Sequence, residues 1–146
     1  MLKIPPPIWA LLYLALAGAL SAAYPWEPIA TPAPLGIVLV ATGFTLSLLS
    51  VLLFLRRGAQ LNPASETHAA LVVSGPFRFT RNPMYLGLVV LTLGAAFWAG
   101  SPPMFAVPFL VFATANWVHI PYEEARMRQS FGAAYEAYSA RTRRWL

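Results

Sequence analysis

The sequence predicts an all-α integral membrane bundle of four transmembrane helices, closed at its cytoplasmic face by a C-terminal amphipathic helix. Three observations lead there. Of 146 residues, 58% are hydrophobic and only 10% charged, against about 25% charged in an ordinary soluble domain. The apolar residues gather into four runs, 8–23, 35–55, 84–99 and 104–120, and no Lys, Arg, Asp or Glu occurs within 4–26, 28–55 or 82–122. Prolines fall almost wholly at or between the ends of those runs, where a missing N–H costs least.

The runs make a single domain over 1–146. Crossing the hydrocarbon takes about 20 helical residues. The run 35–55 meets that length, and the others must borrow flanking residues or sit in a locally thinned bilayer. The first run, with Lys3 before it and Ser21-Ala22-Ala23 at its end, also fits a cleavable secretory signal. Three more apolar runs follow, which favours a retained first helix. A polar connector, 56–83, leads to the third run. There Asn82 can cap a helix whose first position is Pro83. Ala99-Gly100-Ser101-Pro102-Pro103 reads as a tight turn into the fourth run, where Pro108 is the one internal proline. In the tail, 122–140, Met127, Phe131, Tyr135 and Tyr138 recur at three- and four-residue spacing, as in a helix lying in the interface.

Charge sets the topology. Lys3, Arg56, Arg57, Arg78, Arg81, Arg126, Arg128, Arg141, Arg143 and Arg144 all fall on one side of a four-helix hairpin arrangement, and Glu27 alone on the other. The positive-inside bias makes the basic side cytoplasmic, with both termini inside, as in a bacterial inner membrane. The net charge of +5 is therefore matched to membrane lipid and not to nucleic acid. The chain has no cysteine, which excludes disulfides, thiolate metal sites and a cysteine nucleophile. His68 and His119 lack a third ligand at metal spacing, so no metal site is expected. No phosphate-binding glycine loop or Ser-His-Asp signature is present.

The densest polar chemistry lies at one membrane boundary, in HAALVVSGPFRFTRNPMYLG at 68–87. A helix start carrying Arg81 favours an anionic group of a ligand, although Arg81 can equally snorkel to lipid phosphate. Glu123 and Glu124 begin the tail. They suit a helix start or pairing with Arg126 and Arg128 as well as they suit ligand hydroxyl or ammonium groups.

Together these residues resemble the isoprenylcysteine carboxyl methyltransferase family and its relatives among phospholipid methyltransferases. The resemblance rests on H-x-x-L-V-x-S-G-P-F-R-F-T-R-N-P-M-Y-L-G at 68–87 and E-E-x(6)-F-G-x-x-Y-x-x-Y at 123–138, followed by Arg144-Trp145-Leu146. It implies S-adenosylmethionine bound at the cytoplasmic face and methyl transfer to a carboxylate or thiol of a lipophilic or small-molecule acceptor. A carboxylate or a thiolate reacts without a general base. His68, Leu71, Val72, Gly75 and Phe77 would line the cofactor pocket, Arg81, Asn82, Pro83 and Tyr85 would continue it, and Glu123 and Glu124 would hold its polar end. Arg81, Asn82 and Tyr85 would stand nearest the chemistry, with Tyr85 or Trp117 facing the sulfonium through a cation–π contact. Eukaryotic members carry His where Asn82 stands, and their substrate-contacting arginine has no match within 113–122. Two rival functions share this pattern: an NADPH-dependent membrane reductase of the sterol-reductase type, and a non-enzymatic membrane scaffold. A coupled transporter is disfavoured, because the spans hold no charge.

Overall fold

A computed structural model describes residues 4–56 and 71–146, and every regular element among them is helical. His68 lies outside the described residues, as does half of the connector, 57–70. Helix α1 spans Pro6–Ala23 and α2 spans Ala33–Arg56. A 3-10 turn, Gly75–Arg78, leads into α3, Pro83–Ala99, which ends at Gly100 in the left-handed region (φ 60°). Helix α4, Pro102–Thr114, continues through a π-helical turn, Ala115–His119, into α5, Ile120–Phe131. After Gly132 (φ 47°), α6 spans Ala133–Arg141.

Three helical stretches are long and apolar enough to cross a membrane: Pro6–Ala23, Ala33–Arg56 and the 30-residue path Pro102–Phe131. Helix α3, with 17 residues, is shorter. At 1.5 Å per residue it reaches about 25 Å of a hydrocarbon layer about 30 Å thick. Side chains such as Leu11, Leu16, Ile37, Phe44 and Phe109 point outward, the arrangement expected of helices whose solvent is lipid.

Two expectations are corrected. Pro121 does not end the fourth helix, and the tail is not one helix over 122–140. Pro121 has no N–H to offer the carbonyl one turn back. The chain absorbs this with the π turn, in which the Ile120 N–H bonds to the Ala115 carbonyl. The helix then runs on to Phe131, and the break falls at Gly132, whose positive φ suits glycine. Of the apolar stripe, Tyr135 and Tyr138 are buried and belong to α6, while Met127 and Phe131 are half-buried on α5.

Helices α2 and α3 pack backbone to backbone. A Cβ placed on Gly94 would stand 2.5 Å from the Val40 nitrogen and 2.7 Å from the Gly36 oxygen. One on Gly43 would collide with the Leu91 nitrogen and the Gly87 oxygen. Small residues seven apart on both helices permit this approach, which is how apolar helices adhere where lipid removes the hydrophobic drive. Helix α1 packs more loosely on α4 through Ala10, Ala17, Val107 and Val111. Tyr13 and Thr114 share a hydroxyl hydrogen bond of 2.8 Å across that contact.

Candidate active site

The polar site assembles where α3 begins. Thr142–Leu146 folds back across this point. The Arg81 N–H donates to the Arg143 carbonyl (2.9 Å), and the Thr80 hydroxyl (3.0 Å) and Asn82 side-chain amide (2.9 Å) both donate to the Arg144 carbonyl. Trp145 anchors the return. Its indole N–H donates to Asn116 Oδ1 at 3.0 Å, and its ring lies 4.7 Å from that of Phe112. Asn82 therefore starts α3 with its backbone carbonyl, which accepts from Leu86 N–H, and not with a side-chain cap. The expected capping amide is spent on the C-terminal segment instead.

Glu124 sits at the centre of this arrangement, its side chain 6% exposed. Arg144 grips it with two bonds, Nε to Oε1 at 3.1 Å and a terminal nitrogen to Oε2 at 2.7 Å. Arg81 donates to Oε1 at 3.0 Å and to the Ser139 carbonyl at 3.2 Å. The bidentate fork is the strong form of this contact, and it raises the Arg144 pKa above its ordinary value. Arg128 stands 3.9 Å from Glu124 and pairs at 3.0 Å with Glu136, so the expected Glu124–Arg128 helix pair is a minor one. Arg81 Nε is buried and has no partner among the described residues.

Glu123 faces elsewhere: the Tyr85 hydroxyl donates to its Oε1 at 2.6 Å. Tyr85 is buried with Ala115 and Ile120, against Trp145, and its ring stacks on His119 at 6.2 Å. Tyr138 donates to the Phe77 carbonyl at 2.7 Å, tying α6 to the 3-10 turn, and burial pushes its hydroxyl up to about 12.

Of the residues expected from sequence, Arg81, Asn82, Pro83, Tyr85, Glu123 and Glu124 converge here. Val72 and Phe77 instead form an apolar cluster with Phe54 of α2, and a Cβ on Gly75 would meet Leu53. Leu71, half-buried, begins the described segment that leads to them. Trp117 is 68% exposed and packs edge-on to Phe112, facing outward and away from Tyr85. Arg144 was missed as a site residue. Its signal was present in the Arg144-Trp145-Leu146 triplet, but spacing alone does not say that a chain end folds back on a helix start.

The fold and this cluster define a helical integral membrane protein with a buried ionic site at one end of its bundle. The chain belongs to the phospholipid methyltransferase family, whose profile matches residues 33–134. That match takes in Arg81, Asn82, Tyr85, Glu123 and Glu124, and leaves out α1 and Arg144. The chain is similar to two proteins of Arabidopsis thaliana, protein-S-isoprenylcysteine O-methyltransferase B, 31% identical over 80 residues, and its A counterpart, 33% identical over 78. Those matches cover 52% and 51% of this chain and 39% and 38% of the relatives, so the chain spans about two fifths of their length. An uncharacterised protein of Haemophilus influenzae is 30% identical over 63 residues, 43% of this chain and 100% of that protein. No solved structure matches at the same stringency.

Proposed function

We propose that the chain is an S-adenosylmethionine-dependent methyltransferase that transfers the methyl group to an oxygen or sulfur atom of a lipophilic acceptor at the cytoplasmic face of the membrane. In this reading α3 is a fourth crossing, shortened in a locally thinned bilayer, and both termini face the cytoplasm, where the basic residues lie.

The observation that carries the proposal is the unspent polar capacity around Arg81. A buried guanidinium N–H without a partner among the described residues, on a side chain held by Glu124, with Glu123 next in sequence bound to Tyr85, suits a zwitterionic ligand. Arg81 would take the ligand's carboxylate, and the Glu123 carboxylate its ammonium or hydroxyl groups. S-adenosylmethionine, when bound there, supplies an electrophilic methyl group on a sulfonium. The Tyr85 ring can face that positive charge. Asn82 and Thr80 hold the C-terminal return in place through the Arg144 carbonyl. The role of the chain is then alignment and exclusion of water, which can supply most of the barrier reduction in a displacement of this kind.

Ligand-dependent thermal unfolding tests the proposal. S-adenosylhomocysteine at about 100 times its dissociation constant should stabilise the folded protein by about 2.7 kcal/mol, and NADPH should not. A shift with NADPH in place of S-adenosylhomocysteine would favour a reductase. No shift with either would leave a scaffold.

A further inference from the structure

A second pocket, with no charged side chain among its described lining residues, lies beside the ionic site and shares Tyr85 with it. It is lined by Pro6, Trp9 and Ala10 of α1, by Tyr85 and Leu88 of α3, and by Val111, Thr114, Ala115 and His119 of the α4 path. His119 is 5% exposed. Two buried nitrogens in this wall, Trp9 Nε1 and His119 Nε2, have no hydrogen-bond partner among the described residues. Thr114 is already satisfied, by Tyr13. A buried polar atom left unpaired costs about 1–3 kcal/mol, and a single polar atom of a guest in this pocket could relieve both.

We propose that this pocket holds the reactive end of the methyl acceptor, and that this end is an uncharged hydroxyl or thiol carried on an apolar chain. The claim rests on the methyltransferase reading above and narrows it. An indole N–H can only donate, so the guest must present a lone pair; an imidazole nitrogen can accept the guest's own proton. An O–H or S–H group can answer both, and on transfer its proton would pass to His119 Nε2 as the new O–CH3 or S–CH3 bond forms and the donor's sulfonium S–CH3 bond breaks. A carboxylate fits poorly. Among the described residues no lining side chain is a cation, and the Glu123 carboxylate waits on the hydroxyl of Tyr85. Burying an unpaired anion there would be far more costly than burying a neutral group with both bonds made. Tyr85 links the two sites: its ring walls this pocket while its hydroxyl belongs to Glu123. The family match begins at residue 33, so Trp9 is supplied by a helix outside it.

The test compares dodecanol, dodecanethiol, dodecanoate and dodecane, four probes of one chain length, for their effect on the melting temperature of the purified protein in detergent. The alcohol and thiol should raise it above the alkane, and the carboxylate should not. His119→Leu and Trp9→Phe should each weaken alcohol binding about tenfold, the effect of losing one hydrogen bond at a buried site. His119→Gln, which keeps an acceptor, should recover most of it. Equal effects from all four probes, expected if the pocket holds only a water molecule, would overturn the proposal. So would a carboxylate as effective as the alcohol, or a His119→Leu protein that binds like wild type. If His119→Leu fails to fold, Trp9→Phe and His119→Gln still decide the matter. Each protein is also heated with S-adenosylhomocysteine. Loss of that shift in wild type with head-group discrimination intact refutes the cofactor reading and leaves the pocket. An intact shift without discrimination refutes the pocket alone.

Discussion

Glu123 and Glu124 are neighbours in sequence and belong to two differently built regions. Glu124 lies in a closed one, where three arginines, a folded-back chain end and several backbone carbonyls satisfy almost every polar atom. Glu123 opens, through Tyr85, onto a region where His119 and Trp9 each hold a buried nitrogen with no partner among the described residues. The first is a lock: its charges are matched to one another, and removing one exposes the rest. The second keeps its polar capacity in reserve. A fold can leave capacity unused only where the cost is small or a ligand removes it.

Three substitutions break or sharpen that contrast. The largest effect belongs to Glu124→Ala. It leaves Arg81 and Arg144 facing each other without their shared anion, and breaking a buried pair in this way costs about 3–5 kcal/mol. Urea unfolding should show that loss together with the loss of any S-adenosylhomocysteine shift. A change under about 1 kcal/mol would mean that the cluster is not a lock. Tyr85→Phe comes next. It removes one hydrogen bond to a carboxylate and should cost about 2 kcal/mol, with the C-terminal return still protected from hydrogen exchange. Loss of protection at Arg81 N–H would show the two regions to be one. His119→Leu has the smallest expected effect, within about 1 kcal/mol of wild type in the absence of ligand, because it deletes an atom with no partner among the described residues. A loss above 2 kcal/mol would show that the ring is structural and that the open region is not open.

Much of this was legible before any coordinates. Charge-free runs marked the apolar helices, and Asn82-Pro83 marked the start of α3. The pairing of 68–87 with 123–138 brought Arg81, Tyr85, Glu123 and Glu124 into one site. Local pattern misled where a residue's usual role was overridden by its surroundings. Pro121 reads as a boundary, yet a π turn carries the helix past it, because rerouting one hydrogen bond costs less than ending a helix that still has α5 to place. Val72 and Phe77 sit in a stretch that reads as pocket lining, but both pack with Phe54 of α2. Trp117 looks like a cation–π partner by composition and faces away from the site.

Composition and periodicity by themselves determined that this chain is a helical membrane protein, because burying charge in hydrocarbon is costly wherever the chain folds. The tertiary structure alone decided that the chain end folds back to bring Arg144 onto Glu124, and that α1 sets Trp9 in a pocket with His119. These placements bring together residues 20 and 110 positions apart. No local pattern encodes them, since they form only when packed helices bring distant segments to one place.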